Sequence, residues 1–231
     1  GKCIHREGFP GMSDLSGKVA LVTGGSRGLG NEMVLAFAER GADVVIASRK
    51  LDSCEELATA VRERFGRQAL PIACNVGNWS DCDHLVEAAY SEFGRVDVLI
   101  NNAGMSPLYP SIDQVDEALY DKVMAVNLKG PFRLSAAMGT RMAADRGGSI
   151  VNLSSVSGLV GGHNLAAYNA SKGGVSLLTK SVALLGARNR PPIRCNAVCP
   201  AFLEGPMVDG IAGTARDPGG AMEKMSAEIP I

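Results

Sequence analysis

The chain has 231 residues, 46% of them hydrophobic and 20% charged, with a net charge of -1. That length carries one sizeable core, and a near-neutral charge without a Lys/Arg block gives nucleic acid or anionic membrane nothing to attract. No apolar run reaches the roughly 18–20 residues of a membrane span. The three histidines are scattered and no cysteine pair has C-x-x-C spacing, so no metal site is expected. The six cysteines, Cys3, Cys54, Cys74, Cys82, Cys195 and Cys199, read as reduced thiols of a cytoplasmic protein. Residues 1–12 lack the apolar core of a signal peptide and are expected to be a disordered leader or cloning remnant, with Met12 as a natural start. Residues 13–231 are then one domain.

Short apolar runs alternate with longer helical patterns. Strands are expected at Lys18–Gly24, Asp43–Ser48, Ala69–Cys74, Val96–Asn101, Ser149–Ser155 and Ile193–Val198. Helices are expected at Gly30–Gly41, Leu51–Phe65, Ser80–Phe93 with Ser80 as N-cap, Val115–Met124, Asn127–Ala144 and Tyr168–Ala187. Strands apolar throughout are buried on both faces, and joined by helices they predict an α/β fold: a single doubly wound parallel sheet, Rossmann-like, with helices on both faces. Ligands of such a sheet bind outside the carboxyl ends of the strands.

The first strand runs into "TGGSRGLG" (Thr23–Gly30). A turn this tight needs residues without Cβ, and the helix after it offers free N–H groups to a pyrophosphate. Gly24, Ser26, Arg27, Gly28, Leu29 and Gly30 are therefore candidate cofactor contacts, because the turn sits between strand and helix. An NAD site places a carboxylate at the end of the second strand. Here Ser48 stands there, followed by Arg49 and Lys50, with Asp43 at the other end of the strand. Arginine suits a 2′-phosphate, so NADP(H) is preferred and NAD(H) remains an option.

"YNASK" places Lys172 one helical turn after Tyr168. An ammonium near a phenol is expected to lower its pKa towards working pH, as a general acid/base requires. Ser155 ends the fifth strand, where its hydroxyl can hold a carbonyl oxygen beside the phenol.

With "NNAG" (Asn101–Gly104), "VNLKG" around Asn127 and "NLSS" ending in Ser155, these motifs give the chain, from about Leu15 to Pro200, a resemblance to the short-chain dehydrogenase/reductase family. The resemblance implies hydride exchange between a nicotinamide and a carbonyl or alcohol carbon. It implies Tyr168 as general acid/base, Lys172 as the residue that binds the nicotinamide ribose and tunes the phenol, and Ser155 as the carbonyl-orienting hydroxyl. Asn127 would hold a relay water. Asn101 would stabilise the sheet edge, with Asn102, Ala103 and Gly104 beside the adenosine ribose. Asn75 and Val76, after the third strand, would meet the adenine, and Pro200 would lie against the cofactor.

The chain departs from the family pattern at three places. Asn75 replaces the usual Asp, Ala201 replaces the Gly after Pro200, and the expected last helix and strand do not follow. A positive φ at Ala201 would cost about 1 kcal/mol or more. Residues 201–231 are expected to form a substrate lid with a truncated end, where Phe202, Leu203, Met207 and Val208 are apolar. His163, Asn164, Phe202 and Ser155 are the substrate-facing candidates. The partner is a small carbonyl or alcohol, and the resemblance implies a homodimer or homotetramer if the C-terminus is complete. Two other readings stay open: a cofactor binder made inert by a shortened end, and a non-redox epimerase or dehydratase.

Overall fold

The computed structural model describes residues 14–162 and 164–201. The chain runs β1 (Val19–Thr23), α1 (Gly28–Glu39), β2 (Asp43–Ser48), α2 (Leu51–Phe65), β3 (Ala69–Ala73), α3 (Trp79–Phe93) and β4 (Val98–Asn101). It continues with α4 (Glu117–Met124), α5 (Gly130–Ala144), β5 (Gly148–Leu153), α6 (Ala166–Gly186) and β6 (Ile193–Val198). The six strands form one parallel sheet in the order β3-β2-β1-β4-β5-β6. The chain winds outward from β1 in one direction and from β4 in the other, so the carboxyl ends of β1 and β4 open the crevice between them.

Burial follows the strand period of two. Val19 and Leu21 of β1, with Val45 of β2, pack on one face against Leu85 and Val86 of α3 and Leu134 and Met138 of α5. Val22, Val44 and Ile46 pack on the other face against Val34 and Ala38 of α1 and Leu57 and Val61 of α2. All five residues of β1 are buried, as expected for a central strand covered on both sides. β6 departs from that expectation. Ile193 and Cys195 are buried while Arg194, Asn196 and Val198 are exposed, because no described helix covers that side of β6.

Most element ends shift by one or two residues from the sequence reading, and β5 stops at Leu153 rather than Ser155. α3 begins at Trp79 with Asn78 at its N-cap, so Ser80 lies inside the helix. Tyr168 is the third residue of α6 rather than its first. The two helices expected around residue 125 form one continuous path, joined by a wider π-turn over Ala125–Lys129, a local irregularity that commonly marks functional sites. Asp116 starts it by accepting the N–H of Leu119 at 2.7 Å.

The sheet is also tied by side chains. Asn101 Nδ2 donates to Asn152 Oδ1 at 2.8 Å and to Ser135 Oγ at 3.2 Å. Asn152 Nδ2 donates to Thr179 Oγ1 at 2.9 Å. Asn101 was expected at the sheet edge. It sits instead in the buried interior, because β4 is a central strand. At the opposite end, Asp97 takes the Val19 N–H at 2.9 Å and pairs with Lys18, and Asp43 pairs with Arg67 at 2.7 Å. Asn152→Ala should cost about 2–3 kcal/mol in urea unfolding, because it removes two buried hydrogen bonds, one to Asn101 and one to Thr179, and leaves a cavity.

Candidate active site

The glycine turn is shaped by close backbone approach. Gly24 has φ 62°, and Gly28 has φ 52°. A Cβ on Gly30 would lie 2.1 Å from the Gly24 carbonyl oxygen and 2.7 Å from Asn102 Nδ2. No side chain fits there, so the first turn of α1 sits directly on the strand end. Asn102 locks the arrangement, donating from Nδ2 to the carbonyls of Thr23 at 2.9 Å and Gly24 at 3.2 Å. Thr23 Oγ1 answers by accepting the N–H groups of Asn102 and Ala103, at 3.0 and 3.1 Å. The "TGGSRGLG" and "NNAG" motifs are thus one structure. Arg27 caps α1 without a side-chain acceptor, and the first turn holds no acidic residue. Its N–H groups and positive dipole end therefore suit an anion, and the residues present fit a dinucleotide pyrophosphate.

Beside it, Ser26 Oγ donates to Ser48 Oγ at 2.9 Å, joining the turn to the end of β2. Arg27, Arg49 and Lys50 are exposed, and none of them makes an ion pair with a described residue. Asp43, the nearest acid in β2, is held by Arg67 at the far end of the strand. At the end of β3, Asn75 Oδ1 accepts the Gly77 N–H at 3.1 Å, and its own N–H goes to Asp81 Oδ2 at 3.0 Å. One acceptor position of Asn75 is therefore taken by its own turn. Val76 is buried, and Gly130 packs so closely on it that a Cβ would lie 2.6 Å from its carbonyl oxygen.

The second cluster lies at the ends of β4 and β5. Lys172, one turn beyond Tyr168 on the same face of α6, is 5% exposed. Its Nζ donates to the carbonyl oxygen of Leu153, the last residue of β5, at 2.5 Å. The same Nζ lies 5.8 Å from the centroid of the Tyr168 ring. Gly104 lies against Lys172 Nζ and Asn127 Oδ1, which a Cβ there would meet at 3.6 and 3.5 Å. Asn127, on the π-turn, clamps Met105 in both directions: Oδ1 accepts its N–H and Nδ2 donates to its carbonyl, each at 2.9 Å. Asn127 Nδ2 also donates to Ser171 Oγ at 3.0 Å, and that hydroxyl donates to the Tyr168 carbonyl at 2.7 Å.

Ser155 is buried just past β5, its hydroxyl accepting the Ser157 N–H at 3.1 Å. Burial pushes the Tyr168 phenol above its ordinary range, and the Ser155 hydroxyl opposes it. This corrects the expectation that Lys172 lowers the phenol: the ammonium is drawn to Leu153 and faces the ring, and burial prevails. Burial pushes the Lys172 ammonium down to about 8, with a smaller opposing contribution from Cys199.

The structure thus brings Asn127, Ser155, Tyr168, Lys172 and Gly104 together, with Met105 alongside. Pro200 joins them through its carbonyl, which accepts the Val156 N–H at 3.0 Å. No described non-glycine residue has a positive φ, so Ala201 carries none of the strain considered for it. Asn164 is half-buried in the turn before α6 and hydrogen-bonds no described side chain. His163, Phe202, Leu203, Met207 and Val208 lie outside the described residues, as do residues 1–12 and most of the expected lid. Thr23, Ser154 and Tyr109 were not foreseen. Ser154 Oγ donates to the Lys172 carbonyl at 2.9 Å, and its place beside Ser155 was the signal. Tyr109 had none, because its partner is 58 residues away.

The model of the family described as short chain dehydrogenase matches residues 18–215. A 3-oxoacyl-(acyl-carrier-protein) reductase of Thermotoga maritima is 38% identical over 207 residues, covering 88% of this chain and 81% of the relative. An NADP-dependent (R)-specific alcohol dehydrogenase of Lentilactobacillus kefiri is 37% identical over 213 residues, covering 87% and 80%. Among solved structures, an NAD+-bound xylitol dehydrogenase superposes with a TM-score of 0.86 at 29% identity, covering 94% of this chain and 86% of that one. The chain belongs to the short-chain dehydrogenase family of oxidoreductases.

Proposed function

We propose that the protein is an NADP(H)-preferring oxidoreductase acting on a small carbonyl or secondary alcohol, with Tyr168 as its proton donor and acceptor. The observation that carries this reading is the Ser155–Tyr168–Lys172 cluster at the carboxyl edge of the same sheet that presents the glycine turn. Burial keeps the Tyr168 phenol protonated at neutral pH, which suits proton donation to a carbonyl oxygen. Ser155 presents a second hydroxyl to that oxygen. Lys172, mostly ammonium at neutral pH, stands beside the Tyr168 ring and binds the nicotinamide ribose. A nicotinamide dinucleotide bound in the crevice supplies or accepts the hydride. Asn127 holds the Met105 backbone on one side of the cleft, and its remaining acceptor position suits a relay water.

The preference for the 2′-phosphate is supported by the end of β2, where Ser48 stands in place of a carboxylate and the exposed Arg49, Lys50 and Arg27 surround it. The Lentilactobacillus kefiri relative is named for NADP, and the xylitol dehydrogenase was solved with NAD+.

Two variants test the reading. Tyr168→Phe should lower kcat by about 10²-fold or more while NADPH still binds, read by nicotinamide fluorescence and absorbance; retained turnover would remove Tyr168 from the chemistry. Arg49→Ala should weaken NADPH by about tenfold and leave NADH nearly unchanged; equal losses for both would show that Arg49 does not read the phosphate.

A further inference from the structure

The loop after β4 touches the catalytic helix at a place the proposed chemistry does not use. Tyr109, 6% exposed, accepts the N–H of Ala167 on its phenol oxygen at 2.7 Å. Ala167 is the second residue of α6, and Tyr168 is the third. The N-cap residue itself, Leu165, offers no side-chain acceptor. A buried helix N–H without a partner destabilises its turn, and Ser, Thr, Asp or Asn normally supplies the acceptor locally. Here a phenol from a different segment supplies it.

We propose that Tyr109 is a positioning residue for Tyr168, capping α6 from across the cleft and so fixing the first turn that carries the catalytic phenol. This inference rests on the reading of Tyr168 as the proton donor. Lys172 is held independently, by Leu153 through its ammonium and by Ser154 through its carbonyl. The cap therefore governs the tyrosine and not the lysine. The same loop is fixed at Met105 by the Asn127 clamp. The loop wall and the phenol are thus set by one pair of anchors, one on each side.

The test uses the full chain with tyrosine labelled by 13C at the ζ carbon. The Tyr168 resonance is assigned by its loss in Tyr168→Phe. Tyr109→Phe should shift that resonance towards that of an exposed tyrosine and lower kcat about tenfold, as a small misplacement of a reacting group does. The Kd for NADPH should stay within about twofold, because Lys172 keeps its own anchors. Adding Leu165→Ser, which restores a local acceptor at the N-cap, should move both the resonance and kcat back. Tyr120→Phe, on the exposed face of α4, serves as the control and should change neither. An unmoved Tyr168 resonance in Tyr109→Phe would overturn the proposal. So would kcat and NADPH affinity falling together, which marks general loosening, or a shift that Leu165→Ser leaves in place. If the wild-type protein turns over no carbonyl or alcohol, the redox reading fails, and the resonance still decides the role of Tyr109.

Discussion

Lys172 keeps an ammonium almost out of water, with the Leu153 carbonyl as its hydrogen-bond acceptor. Charge in that position is costly, and the cost appears as a pKa pushed from 10.5 down to about 8. A displacement of that size corresponds to about 3 kcal/mol against the folded state. The sign follows from the direction. The penalty is fully present below about pH 8, where both folded and unfolded chains carry the ammonium. It shrinks as pH rises towards 10.5, where both become neutral. At neutral pH the fold carries this penalty at the foot of its cleft, and the surrounding contacts offset it.

Those contacts explain how the site is held. Ser154 binds the carbonyl of Lys172, and the Gly158 backbone packs against that residue so tightly that a Cβ would lie 2.8 Å from its carbonyl. Asn127 reaches the same helix through Ser171. On the other side of the crevice, Asn102 and Thr23 fasten the end of β4 to the glycine turn after β1. The glycine turn and the Ser155–Tyr168–Lys172 cluster are therefore joined through hydrogen-bonded backbone and side chains.

The sheet and its helices were legible because apolar runs and helical periods are local signals. β2, α2 and β6 have the bounds their patterns suggested. The site was legible where its parts lie close in sequence, as Tyr168 and Lys172 do. What escaped depends on partners far along the chain. Asn101 was placed at an edge because strand order is not written in any one segment. Its bonds to Ser135 and Asn152 show it in the interior. The effect of Lys172 on Tyr168 was misjudged because spacing along a helix shows proximity, not where an ammonium finds its acceptor or how deeply a phenol is buried.

The most direct measurement is a titration of the protein labelled with 13C at the lysine ε carbon, following Lys172 by NMR, with its signal assigned by loss in Lys172→Met. A midpoint near 8 is the predicted result, set by burial of the ammonium beneath the cleft. A midpoint near the ordinary 10.5 would mean that water reaches the amine. The ammonium beside Tyr168 and Asn127 would then be a hydrated charge rather than a buried one.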